Sequence, residues 1–123
     1  MAEYSSYKDL IVYQKAEILT KEVIEYFSKF NLPKSKEFAV IQLLRAVASI
    51  GANIAEGYGR FYGKSYRQFL AIARGSNFET DYWLRILMGF SDFDKVQLTK
   101  FTEGNTELSK MLTVMMKKLQ KTT

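Results

Sequence analysis

The sequence predicts an all-α fold, an up-down-up-down antiparallel four-helix bundle occupying residues 1–123 as a single domain. Three observations point there. Apolar residues recur at three- and four-residue steps through four long stretches, the period of one face of a helix. The stretches are joined by connections of a few residues, which force neighbouring helices to run antiparallel. No segment alternates apolar and polar residues as a half-buried strand does, and no hairpin signal competes. With 123 residues, 47% apolar and 15% aromatic, and a single proline, the chain can bury one ordinary core and is not a disordered tract.

The first helix is predicted over residues 9–30. Leu10, Val12, Ala16, Leu19, Val23, Phe27 and Phe30 recur on one side, while Lys15, Glu22, Glu25 and Lys29 fall on others. Asp9 is placed to cap it, because a carboxylate there accepts from unpaired amides of the first turn. Asn31-Leu32-Pro33 ends it, since proline supplies no amide hydrogen and biases the preceding residue away from helical backbone. The second helix, 35–60, has two apolar stripes, Val40-Leu43-Val47-Ile50-Ile54 and Ile41-Leu44-Ala48-Ala52-Ala55, so contacts are expected on two sides. Its remaining face is a polar line through Gln42, Ser49, Asn53, Glu56 and Arg60, and small residues including Gly51 permit close approach of a neighbour.

Gly57, Gly59 and Gly63 are expected to break that helix. Ser65 with Gln68 then forms a capping box for a third helix over 65–89. It sets Phe69, Ile72, Ser76, Trp83, Ile86 and Phe90 along one side, with Leu70, Ala73, Leu84 and Leu87 beside them. Gly89 offers a left-handed residue at its end. Asp94 with Gln97, and Phe93 with Leu98 as a hydrophobic staple, start the fourth helix. There Leu98, Phe101, Asn105, Leu108, Leu112, Met115 and Leu119 keep a strict heptad spacing, with an asparagine at one seam position, where such a residue sets register or is partly solvated.

Charge is distributed unevenly about the net +5. Residues 41–78 carry five basic residues against Glu56 alone, and 95–123 carry six lysines against two acids. The bundle topology brings Lys8, Arg60, Lys64, Arg67, Lys117, Lys118 and Lys121 to one pole, among Tyr58, Phe61, Tyr62 and Tyr66. Two readings follow. The cations neutralise phosphates while the aromatics stack on unpaired bases, or the lysines answer helix dipoles while the aromatics cap the core or meet a second subunit.

The chain has no cysteine and no histidine, which removes thiol chemistry, disulfides and the Glu-x-x-His pairs of a di-iron bundle. Glu56 and Glu79, if both faced inward, would make a carboxylate pair or bind a hard cation, and a salt-bridged layer with Arg45, Arg60 or Arg74 is the alternative. No spacing supplies a nucleophile with its base, and the glycines of Gly57-Tyr58-Gly59-Arg60 follow no strand. No catalytic site, metal or cofactor is therefore expected. The N-terminal residues lack a signal-peptide pattern, so a cytoplasmic protein is expected.

Several runs resemble a known family: Asp9 to Ala16, Gln42 to Ala46 with Ser49-Ile50, Asn53-Ile54-Ala55-Glu56-Gly57-Tyr58-Gly59-Arg60, and Phe69-Leu70 through Ala73-Arg74-Gly75-Ser76 with Glu79. They are similar to the bacterial four-helix-bundle proteins encoded in intervening sequences of 23S ribosomal RNA genes. That family has pentameric barrels among its members and is related to the accessory protein of diversity-generating retroelements, which binds nucleic acid and a reverse transcriptase. The resemblance implies a non-enzymatic homo-oligomer, such as a pentamer, associated with RNA. Carried over by position, its signature is Asn53, Glu56, Gly57, Gly59 and Arg60 with Arg74, Gly75, Ser76 and Glu79. The chain departs from the pattern at Leu44, where a second arginine is common, at Gly51, where proline is, and at Asn77 and Thr80, where apolar residues are usual.

Two functions are consistent with these readings. In one, the oligomer binds RNA or another nucleic acid through the basic pole, with Arg60, Lys64, Arg67, Lys117, Lys118 and Lys121 on phosphate and Tyr58, Tyr62 and Tyr66 stacking. In the other, the surplus apolar stripes of the second and third helices form the oligomer and a protein-partner site, with no nucleic acid.

Overall fold

The computed structural model describes residues 6–60 and 63–122, and side chains within 6–60 and 65–119. Four helices, α1 (Ile11–Phe27), α2 (Lys34–Arg60), α3 (Gly63–Met88) and α4 (Lys95–Thr122), follow a short 3-10 turn at Tyr7–Asp9. Each helix packs on its neighbours in sequence and α1 closes on α4; among the described residues no diagonal pair of helices approaches as closely in its backbone. This is the up-down-up-down bundle the periodicity predicts. The α2–α3 contact is the most extensive and α1–α4 the least of the four helix pairs.

Several boundaries differ from expectation, each for a local reason. Asp9 does not cap α1. It lies in the 3-10 turn, which Ser6 caps by accepting the Lys8 N–H at 2.9 Å, and extended backbone at Leu10 delays the helix to Ile11. At the other end α1 closes after Phe27, where the N–H groups of Lys29 and Phe30 turn back to the carbonyls of Tyr26 and Phe27. The Pro33 carbonyl starts α2 by accepting from Lys36 and Glu37, at 3.0 and 2.9 Å. Helix α2 then passes through Gly57 and Gly59 unbroken, and α3 begins at Gly63, two residues before the expected capping box. Gly89 is not left-handed; it ends α3 with a bond to the Ile86 carbonyl at 3.1 Å. Asp94 caps α4 as expected, accepting from the Val96 N–H at 3.0 Å, while its own N–H donates to the Tyr26 hydroxyl.

The core is built from single faces. Val12, Ala16, Leu19, Val23 and Phe27 of α1 meet Val40, Leu43, Val47, Ile50 and Ile54 of α2 and the heptad seam of α4. Helix α3 buries Leu70, Ala73, Leu84 and Leu87, and the two seam positions between them hold Asn77 and Thr80. The Asn77 Nδ2 donates to the Asn105 carbonyl at 2.8 Å and the Asn105 Nδ2 to the Asn77 carbonyl at 2.9 Å, a reciprocal pair that locks α3 against α4. A plug of edge-on aromatics, Phe27, Phe30 and Phe93, closes the pole opposite the α2–α3 turn.

The second apolar stripe of each central helix is not core. On α2, Phe38, Ile41, Ala48 and Ala52 face outward, interrupted by Arg45. On α3, Ile72, Tyr82 and Ile86 do so, around the exposed Gly75 and Glu79. By length and composition α2 is apolar enough to cross a membrane, and 44% of its most apolar window is buried within the chain.

Candidate nucleic-acid interface

Between α3 and α4 runs a furrow. Arg67, Gln68, Ala71 and Arg74 recur on one face of α3 and confront Thr113, Met116 and Lys117 of α4, around a cavity of about 430 Å³. Three cations enter it from two helices, and none of the described residues lining it is acidic. Arg74 is held in place: its Nη1 donates to the Thr113 hydroxyl at 3.3 Å, which donates onward to the Ser109 carbonyl at 2.9 Å. The Arg74 guanidinium also lies over the Phe78 ring, 5.6 Å from its centroid. Such a cluster of cations with the Gln68 amide beside it is suited to an anion.

The residues expected at the basic pole separate into three groups. Arg67 and Lys117 share the furrow. Lys118 lies on the α1-facing side of α4, where it and Lys110 border an apolar groove of about 630 Å³ lined by Leu10, Val12, Met111 and Met115. Arg60 ion-pairs with Glu56 one turn earlier at 2.9 Å and covers the Phe69 ring at 5.1 Å. The Tyr58 and Tyr66 rings meet edge to face at 6.4 Å, and Tyr66 packs on the core, where burial pushes its hydroxyl pKa up. Tyr62 and the side chains of Lys64 and Lys121 lie outside the described residues.

The signature residues also part company. Asn53 Nδ2 donates to the Ser49 carbonyl and hydroxyl at 2.8 and 2.9 Å, and Ser76 reaches the same Ser49 hydroxyl at 2.8 Å, so a small polar layer does tie α2 to α3. Glu56 does not enter that layer, and neither does Glu79. Both are exposed, which rules out the inward carboxylate pair. Gly57 is buried where α3 comes nearest: a Cβ there would stand 2.8 Å from the Phe69 Cβ. Gly59 and Gly75 face open space, with nothing within 4 Å of an added Cβ. Among the described residues no group of three or more carboxylates is placed to hold a metal ion.

Arg74 is the residue that sequence reasoning misplaced, and Thr113 and Gln68 are ones it missed. The seven-residue step from Arg67 to Arg74 and the four-residue step from Thr113 to Lys117 were visible, but the register that sets them face to face was not.

Fold and furrow together define a small antiparallel four-helix-bundle protein with a basic surface groove. Residues 8–114 match the family described as 23S rRNA-intervening sequence protein, and the chain belongs to that family. The chain is also similar to a crystal structure of a protein with unknown function from the S23 ribosomal protein family of Bacteroides thetaiotaomicron VPI-5482. The two share 30% sequence identity at a TM-score of 0.78, over 87% of this chain and 99% of that one. No curated protein matches the sequence.

Proposed function

We propose that the chain is a non-enzymatic, cytoplasmic, self-assembling bundle that binds RNA or another nucleic acid through the α3–α4 furrow. The observation that carries this reading is the convergence of Arg67, Arg74 and Lys117 on one cavity with no acidic residue among its described lining. Cations so placed neutralise backbone phosphates and release their counterions. Self-assembly is supported by the outward apolar residues of α2 and α3, with Phe38, Ile41, Ile72, Tyr82 and Ile86 each at least 38% exposed. Copies packed through that face, five in a ring of the kind the family resemblance implies, would repeat the furrow, and repetition multiplies weak contacts through effective concentration. The same face favours a second reading, in which the oligomer docks a protein partner and no nucleic acid is involved.

The test is fluorescence anisotropy with structured RNA, single-stranded RNA and duplex DNA at about 50 and 200 mM salt, light scattering confirming assembly. Three phosphate contacts in one furrow predict a log–log salt slope between about −2.1 and −2.7, so affinity falls about 18- to 42-fold over that range. The Arg67→Glu, Arg74→Glu, Lys117→Glu variant is expected to assemble and not to bind. Absence of binding by the assembled wild-type protein at low salt would overturn the nucleic-acid reading in favour of the second. Ile72→Glu with Ile86→Glu is expected to dissociate the oligomer under either.

A further inference from the structure

The basic cavity continues along the furrow into a second one of about 210 Å³, lined by Asn77, Phe78, Asp81, Asn105, Thr106 and Ser109. Arg74 joins the two, lining the first and lying over the Phe78 ring that lines the second. Phe78 is a phenylalanine 57% exposed to solvent, one turn beyond a cation.

The lining of this second cavity is rich in acceptors. Thr106 already donates its hydroxyl hydrogen to the Thr102 carbonyl at 2.9 Å, which leaves its oxygen to accept. Asn77 and Asn105 close the floor of the cavity, buried and engaged through their Nδ2 groups with each other's carbonyls. Arg85 stands 3.7 Å from the Asp81 carboxylate, too far for a good hydrogen bond, so that carboxylate keeps its capacity to accept. An exposed aromatic ring beside a carboxylate and a hydroxyl oxygen matches a planar heterocycle that offers hydrogen-bond donors along its edge.

We infer that the furrow holds a single strand of nucleic acid, its phosphates on Arg67, Arg74 and Lys117 and a neighbouring base stacked on the Phe78 face turned away from the Arg74 guanidinium, with the base's exocyclic amino group on Asp81. The inference rests on the nucleic-acid reading and deepens it: duplexes are excluded from the second cavity because their bases are already paired, and cytosine, adenine and guanine are favoured over uracil.

The experiment measures anisotropy of labelled oligomers of about ten nucleotides, oligocytidylate, oligoadenylate and oligouridylate, at one low salt concentration, with deoxyoligocytidylate alongside to separate RNA from DNA as the source of the strand. The amino-bearing oligomers are expected to bind at least about fivefold tighter than oligouridylate, the lower end of what one good base contact discriminates. Asp81→Asn is expected to erase that difference without altering the salt slope. Phe78→Ala is expected to weaken every single strand at least about fivefold, the loss of one stacked base. Both side chains are on the surface, and circular dichroism with thermal melting checks that the variants fold. Equal affinity for all oligomers, or unchanged binding by Phe78→Ala while salt-sensitive binding persists, would overturn the base site alone. Failure of every oligomer to bind overturns the nucleic-acid reading with it.

Discussion

Asn77 and Asn105 show what one pair of side chains decides. Each occupies a core seam position, each is at most 2% exposed, and each amide donates to the other's backbone. Replacing one leaves a buried carboxamide short of a partner, at a cost of about 1–3 kcal/mol, whereas replacing both with leucine removes the polar groups together. In denaturant unfolding, Asn77→Leu or Asn105→Leu alone is therefore expected to lower stability, and the double variant to recover most or all of it; equally damaging double and single variants would refute the pairing. Sequence made each residue conspicuous, Asn105 as a break in a heptad seam and Asn77 as a departure from the family pattern. Their partnership was hidden, because it depends on which turn of α3 faces which turn of α4. The glycines of α2 separate on similar grounds. A Cβ at Gly51 would meet Ala16 and Tyr13 at an ordinary 3.6 Å, so Gly51→Ala is expected to stabilise by up to about 1 kcal/mol through helix propensity. At Gly57 the Phe69 Cβ stands at 2.8 Å, and Gly57→Ala is expected to cost about 1–3 kcal/mol as two backbones are forced apart. Paired thermal melts check both signs.

Among the elements, α2 and α3 carry the richest information. Periodicity correctly showed that α2 has two apolar stripes, and it could not say that only one is used within the chain, since an interior and a subunit interface demand the same residues. On α3 the sequence sets two apolar stripes side by side without choosing between them; Leu70, Ala73, Leu84 and Leu87 occupy the core, and Ile72 and Ile86 of the other stripe lie outside. Connections are tied by side chains at the aromatic pole. Lys36 at the start of α2 reaches Asp92 before α4 at 2.6 Å, and that hydrogen bond, followed by the charge of Lys36, outweighs desolvation and holds the Asp92 carboxyl below its ordinary pKa. Because the folded value is the lower one, the pair's contribution is complete above the unfolded aspartate pKa of about 3.9 and is lost as pH falls through the folded value. Lys36→Met is therefore expected to be less stable than wild type near pH 7, with the difference shrinking as pH falls below the unfolded aspartate value of about 3.9. A constant difference across that range, followed by urea unfolding, would assign the loss to packing instead.

For the molecule as a whole, topology was legible because long amphipathic stretches and short connections leave few arrangements open. The charge map was legible only in part. Antiparallel order gathers the cations toward one pole, but rotation of α4 about its axis sends Lys117 into the furrow and Lys118 to the α1-facing side, a distinction of one residue and about 100°. The α1–α4 seam that Lys118 borders has a consequence of its own. Helix α1 is the shortest of the four at 17 residues, begins behind an extended residue, and closes on α4 through the least extensive contact in the bundle, with an apolar groove where the two part. Protection against solvent exchange follows the contacts that must be broken. Amides of α1 are accordingly expected to exchange deuterium well before those of α2 and α3, and uniform protection across the four helices would contradict this. The bundle then behaves as a durable α2–α3 spine with a leaf hinged along one edge, and time, rather than shape, is where its four similar helices differ most.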